Sequence, residues 1–295
     1  ATFKDKTVAV FGLGRSGIIA ALSLQKGGAN VLAWDDNETA RLAAKTAGVN
    51  LADLSKADWS SIDEFVLSPG VPHSLPEAHW SAQKAIAANV PIICDIEIFA
   101  REVAARAPER RPKVIAITGT NGKSTTTSLI GHILKTCGKD AQIGGNIGRG
   151  VLDLDDMHRN AYYVLELSSY QLERTHSLRA NAAVFLNLTP DHLERHGDMA
   201  NYEAVKCRIF DNQTKADAAV IGVPDPIEGQ YIKAFVSLDE GANLPPRQIR
   251  QYCISKLEKT NRIIITMLLE DFSYKEIADV TGISVNYVGV RVNRI

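Results

Sequence analysis

The chain has 295 residues, enough for about two domains at ~150 residues each. Hydrophobic residues make up 45% and charged residues 23%, and 33 Lys and Arg nearly balance 34 Asp and Glu; the net charge of −1 excludes a protein-wide basic field that would steer nucleic acid. Mean hydropathy is −0.08, and the most apolar run, residues 263–269, is far short of the ~20 residues that span a bilayer, so no membrane partner is expected.

One basic residue, Lys4, precedes Asp5 and a strand-like run, which is not the pattern of a signal peptide. Cys94, Cys137, Cys207 and Cys253 are widely spaced with no CxxC pair. That spacing predicts reduced thiols in a cytoplasmic protein rather than a disulfide framework or a zinc site.

Residues 7–10 read as a strand running into Phe11-Gly12-Leu13-Gly14-Arg15-Ser16-Gly17, with a helix over 18–24 closed by Gly27-Gly28. A second strand, 31–34, ends at Asp35-Asp36, about 20 residues after the glycines, as in a dinucleotide-type βαβ unit. Further strands are predicted at 65–67, ending in Ser68-Pro69-Gly70-Val71-Pro72, and at 92–93, before a helix over 95–107. The charged, proline-flanked stretch 108–112 reads as a linker. Beyond it a buried-type strand, 113–117, enters Thr118-Gly119-Thr120-Asn121-Gly122-Lys123-Ser124-Thr125 and a helix to about 134. Strands at 162–165 and 182–186 follow, each leading at once into polar residues. Alternating strands and helices predict parallel sheets covered on both faces. After about 223 four prolines punctuate the chain around one strand-like run, 231–238; a helix-turn-helix pattern follows over 274–293, with Ser284 as N-cap.

Chemistry concentrates at the strand ends. Glycines in Gly119-Thr-Asn-Gly-Lys-Ser-Thr let backbone N–H groups wrap a phosphate, the helix N-terminus adds partial positive charge, Lys123 reaches the outer phosphates and Ser124 is placed to ligate Mg²⁺. The loop is two residues tighter than the standard pattern, which would want its first glycine where Ile117 stands. The plain alternative is a glycine turn capped by Ser124. Glu166 suits a metal at its strand end, or else it is a solvated carboxylate beside a capping serine. His192, in Asn187-Leu-Thr-Pro-Asp-His-Leu-Glu-Arg-His, is open to three readings: a metal ligand, a base, or merely a polar side chain at the surface. Taken alone, Lys206 reads as a solvated helical lysine. The N-terminal glycines by themselves fit an NAD domain, although Arg15 and Ser16 offer polar anchors better suited to another nucleotide diphosphate.

Together these motifs resemble the Mur ligase family over about residues 1–223. Gly12-Leu-Gly-Arg-Ser-Gly, Ser68-Pro-Gly-Val-Pro, Gly144-Gly-Asn-Ile-Gly, Glu166-Leu-Ser-Ser-Tyr-Gln-Leu and the Asn187–His196 run resemble its D-glutamate-adding branch. The fold class implied is α/β. A Rossmann-like parallel-sheet domain (1–110) binds the UDP substrate, and a P-loop-type α/β ATP-binding domain (111–223), incomplete here, follows. The resemblance implies substrate contacts from Leu13, Arg15, Ser16, Asp35, Asp36, Ser68, Gly70 and Asn146. It implies ATP contacts from Gly119, Thr120, Asn121, Gly122, Lys123, Ser124 and Thr125, and Mg²⁺ ligation by Ser124, Glu166, His192 and Lys206. Lys123, His192 and Lys206 take the catalytic roles, with Lys206 matching a carbamylated lysine.

The implied reaction couples D-glutamate to UDP-N-acetylmuramoyl-L-alanine through an acyl phosphate, with ATP and Mg²⁺ as cofactors and the chain acting as a monomer. The resemblance also implies more central-domain strands and a third, glutamate-binding domain, neither of which is matched after 223, so impaired turnover is expected. Residues 224–257 resemble a C-terminal segment of acyl-CoA synthetases, and 258–295 resemble sigma-factor region 4, a small helical unit. Two competing readings follow: a chimeric or regulatory protein with a DNA-binding tail, and an NAD-dependent oxidoreductase. The second is disfavoured by the additional phosphate loop. Gly289 and Val290, where a recognition helix wants polar residues, argue against nucleic acid as a partner.

Overall fold

The computed structural model describes residues 2–225, 229–231 and Lys275. The sequence expectations for the rest of 224–257, and for the helix-turn-helix unit at 258–295, lie outside the described residues.

The first sheet is built from β1 (Thr7–Phe11), β2 (Asn30–Trp34), β3 (Glu64–Leu67) and β4 (Ile92–Ile93), interleaved with α1 (Arg15–Lys26), α2 (Glu38–Thr46), α3 (Trp80–Ala87) and α4 (Asp95–Ala104). Its order is β2-β1-β3-β4, and every pairing is parallel. The second sheet takes β5 (Lys113–Thr118), β6 (Asp140–Gly145), β7 (Ala161–Glu166), β8 (Ala182–Phe185) and β9 (Ala218–Ile221) in the order β6-β7-β5-β8-β9, again all parallel. Its helices are α5 (Lys123–Thr136), α6 (Ser169–Leu172), α7 (Leu193–His196) and α8 (Met199–Cys207). A short antiparallel pair, β10 (Val223–Asp225) and β11 (Gly229–Tyr231), follows. Among the described residues no helix is long and apolar enough to cross a membrane.

Both sheets are covered on two faces, which explains their near-continuous apolar strands. Along β1, Val8 and Val10 enter one core with Ala20, Leu24 and Ile93, while Ala9 and Phe11 enter the opposite core with Phe65, Leu67 and Trp59. In the second sheet Val114, Tyr163 and Leu165 face one core, and Ile117, Val164 and Val184 face the other. Each such large side chain taken from water contributes about 1.5–3 kcal/mol.

The two sheets share α4. Ile98 packs into the first core, whereas Ile96, Phe99 and Ala100 pack into the second. That helix stops at Ala104, earlier than the 95–107 expected, and Pro108 disfavours helical backbone at Ala107 before it. The sequence does not predict β6, whose residues, Asp-Ala-Gln-Ile-Gly-Gly, have neither the alternation nor the composition of a strand; pairing to β7 makes it one.

Candidate active site

Parallel order puts the carboxyl ends of β5, β7 and β8 side by side, and the polar residues following each strand meet there. The turn between β5 and α5 needs glycine twice: Gly119 has φ +150° and Gly122 φ +79°. A Cβ on Gly119 would lie 3.0 Å from Leu186 Cβ, so the loop also depends on close approach to the β8 end. No side chain caps the N-terminus of α5. Its first-turn N–H groups and the positive end of its dipole are therefore suited to an anion.

Asn187, just past β8, shapes this loop. Its Oδ1 accepts from the N–H groups of Thr120 (3.1 Å) and Asn121 (2.9 Å), and its Nδ2 donates to Asn121 O. In the sequence, only its place at a strand end marks Asn187 for this role. Lys123 folds back over the loop, with Nζ donating to Gly119 O (2.9 Å) and Thr120 O (2.8 Å). Burial lowers its pKa, against the raising pull of Glu166 and Asp191. Thr125, one residue beyond Ser124, is exposed.

Glu166 ends β7 and is buried. Oε2 accepts from the Ser124 hydroxyl at 2.7 Å and Oε1 from Asn146 Nδ2 at 2.9 Å. Both partners are neutral. Asn146 is held in place because its own N–H donates to the Glu166 carbonyl.

An open cleft is lined by Lys123, Asn146, Ser168, Tyr170, His192 and Lys206, among others. His192 has left-handed backbone (φ +52°) at the start of α7; Nδ1 is 3.1 Å from the Tyr170 hydroxyl and Nε2 is 3.4 Å from Asp191 Oδ2. Lys206, on α8, is 1% exposed. Its Nζ donates to Gly119 O at 2.9 Å and lies 4.7 Å from the Tyr202 ring centre. Burial, reinforced by Lys123, brings its pKa down to about 7. An ordinary solvated helical lysine has neither property. Lys123, Ser124, Glu166, His192, Lys206 and Asn146 are thus brought together.

The N-terminal residues form a second group on the first sheet. Leu13 is buried, and its N–H donates to Asp35 Oδ2 at 2.6 Å. Asp35 Oδ1 accepts from Asn37 N, so this carboxylate orders the turn after β2. Asp36 is held by Trp80 Nε1 (2.9 Å) and His79 Nε2 (3.2 Å). Ser16 and Ser68 line a shallow depression with Gly17, Pro69 and Asp95. Gly70 is exposed in the turn after β3, and Arg15 is exposed, with Asp153 3.8 Å away.

The Mur ligase middle domain family matches residues 117–242, and the Sigma-70, region 4 family matches residues 244–295. Three proteins named UDP-N-acetylmuramoylalanine–D-glutamate ligase are similar to this chain. That of Caulobacter vibrioides is 58% identical over 223 residues, covering 76% of this chain and 47% of the relative. That of Phenylobacterium zucineum is 58% identical over 224 residues, covering 76% and 48%. That of Brucella abortus is 46% identical over 285 residues, covering 95% and 58%. The chain spans about half the length of the curated relatives it matches. Residues 117–242 thus carry the Mur ligase middle domain, and within them Lys123, Asn146, His192 and Lys206 line one cleft.

Proposed function

We propose that this chain carries the nucleotide and acceptor sites of an ATP-dependent amide ligase that adds D-glutamate to UDP-N-acetylmuramoyl-L-alanine in peptidoglycan synthesis. The observation that carries this reading is the single cleft in which Lys123, Asn146, His192 and Lys206 face one another beside the Ser124–Glu166 pair. The triphosphate lies along residues 119–125, with α5 pointing its N-terminus at the phosphates. Lys123 leaves its loop carbonyls to balance charge on the transferred phosphoryl group. The substrate carboxylate attacks the γ-phosphorus and ADP departs. The D-glutamate amine then attacks the acyl phosphate carbon, forming the amide and releasing phosphate.

The residues present fit Mg²⁺. Glu166 is a buried carboxylate whose hydrogen-bond partners, Ser124 and Asn146, are both neutral, so a cation would complete its charge balance. The described residues contain no cluster of three or more His, Cys, Asp or Glu side chains. Magnesium ordinarily uses one or two protein carboxylates together with phosphate oxygens and water, so a sparse protein contribution suits it. Ser124 and Glu166 would hold it, with His192 beside them; bound there, it would neutralise phosphate charge.

Lys206 is poised for carbamylation. With its pKa near 7, much of the amine is neutral at physiological pH. Its nitrogen attacks CO₂ and loses one proton, which converts a buried cation into an anion able to bind metal. A nucleotide-linked substrate and reduced cysteines support a cytoplasmic location, and we take the working unit to be a monomer.

The test is hydroxylamine trapping. Purified chain with Mg·ATP and UDP-N-acetylmuramoyl-L-alanine should yield a hydroxamate and ADP, and Lys123→Ala should yield neither. Failure of the parent chain to bind both ligands in calorimetry overturns the reading.

A second reading attaches to residues 244–295, where the Sigma-70, region 4 match supports contact with promoter DNA. Eight Lys and Arg against five Asp and Glu over residues 247–295 are compatible with it. Salt-dependent binding to a promoter duplex, lost when Arg291 and Arg294 are replaced by Ala, would establish it.

A further inference from the structure

The guanidinium of Arg174 reaches out of the second sheet's half of the protein into the first. Arg174 follows α6 by two positions and is 1% exposed. Its Nη1 donates to the carbonyls of Leu67 and Ser68, both at 2.9 Å, and its Nη2 donates to the carbonyl of Val71. Its Nε points at His73 Nδ1, 3.3 Å away. One planar fork therefore grips three carbonyls and an imidazole along a seven-residue stretch. Burial and the two nearby arginines hold His73 to a pKa of about 4, so at neutral pH its ring is uncharged and Nδ1 can accept.

The gripped stretch is the turn after β3, which contains Ser68 and Gly70. It has no regular hydrogen-bond ladder of its own: Val71 N donates to Ser68 O, and Ser68 N donates to Phe11 O. The carbonyls of Leu67, Ser68 and Val71 face a charge supplied from elsewhere in the fold, and Pro72 O accepts from His79 N. Arg195 adds a second guanidinium, with Nη2 3.4 Å from Val71 O and 3.3 Å from Glu173 Oε2. The base of the clamp is fixed too. The Cys94 thiol lies 3.4 Å from Gln171 O, and Glu97 accepts from the N–H groups of His176 (2.7 Å) and Ser177 (2.8 Å).

We propose that Arg174 is a positioning residue for the sugar-nucleotide substrate: by gripping Leu67, Ser68 and Val71 it holds the turn that forms one wall of that substrate's site. This rests on the reading above that Ser68 and Gly70 face a UDP-linked substrate. Arg174 touches no reacting atom. It acts through the turn, and because it hangs from the same segment as Glu166, the wall is set relative to the phosphate cleft. Lysine keeps the charge but cannot fork to several carbonyls at once.

The experiment uses the full chain, with UDP-N-acetylmuramoyl-L-alanine and a non-hydrolysable Mg·ATP analogue titrated separately by calorimetry. Arg174→Lys should weaken sugar-nucleotide binding at least ~10-fold while leaving the ATP analogue within ~2-fold, since a missing fork disturbs only the turn. Amide exchange should accelerate over residues 68–73 and not over 119–125. His73→Ala, which removes one acceptor and leaves the guanidinium in place, should weaken sugar-nucleotide binding ~3-fold and decides the matter if Arg174→Lys does not fold. Sugar-nucleotide affinity unchanged in a folded Arg174→Lys chain, or in His73→Ala when the first variant fails to fold, overturns the proposal and leaves the ligase reading standing. A parent chain that binds the ATP analogue but no sugar nucleotide overturns the assignment of the wall, and the proposal with it.

Discussion

The Ser124 hydroxyl donates to Glu166 Oε2 at 2.7 Å, joining the first turn of α5 to the last residue of β7. Two residues 42 positions apart thus place a hydroxyl and a buried carboxylate on one edge of the cleft. Glu166→Gln keeps the shape and can keep both hydrogen bonds, but it removes the charge. Divalent-ion affinity in the presence of nucleotide should fall roughly 10- to 100-fold, the worth of one charge-assisted contact. Electron paramagnetic resonance of bound Mn²⁺ measures it; an unchanged affinity would remove Glu166 from the metal site.

Lys206 gives a pH signature. Its folded pKa is about 7, against about 10.4 in an unfolded chain. Between those values the unfolded chain binds the extra proton, so this group makes stability rise with pH across that window. Below about pH 7 the ammonium is charged in both states and the folded protein bears the whole cost of burying it. Lys206→Met should therefore be more stable than the parent near pH 6, by up to about 5 kcal/mol, with the gap closing toward pH 10. Urea denaturation at both ends of the window tests the sign. A gap that widens as pH rises contradicts it.

Asn187 holds two loop N–H groups with one carboxamide oxygen. Asn187→Ala leaves them to water and loosens the turn before any phosphate arrives. A loss of about 1–2 kcal/mol of loop order is expected, which is about 5- to 30-fold in affinity for the Mg·ATP analogue. Amide exchange over 119–122 should quicken in parallel. Calorimetry showing parent-like affinity would assign the loop's shape to its glycines alone.

Gly12 has φ +92°, and a Cβ there would stand 2.4 Å from Ser68 Cβ. Gly12→Ala combines left-handed backbone, costing about 1–2 kcal/mol, with a collision that pushes the turn after β3. The variant should lose at least that much stability in denaturant titration. If it folds, it should bind the sugar nucleotide more weakly while keeping its affinity for the ATP analogue. Parent-like stability would mean that the turn yields freely.

Much of this protein was decided by short-range sequence. Apolar runs long enough for a two-faced strand marked β1, β3, β5, β7 and β8, and glycines before Lys123 marked the phosphate turn, because positive φ and backbone approach leave little choice of residue. Side-chain partnerships were decided only by the fold. Nothing local distinguishes Lys206 from a solvated lysine; α8 buries it against Gly119 and Tyr202, and desolvation then changes its protonation. Nothing near Arg174 in the chain announces carbonyl acceptors more than a hundred residues earlier. The physical reason is range. Backbone conformation answers to immediate neighbours, whereas burial, charge pairing and hydrogen-bond satisfaction depend on which distant strands the sheets set side by side.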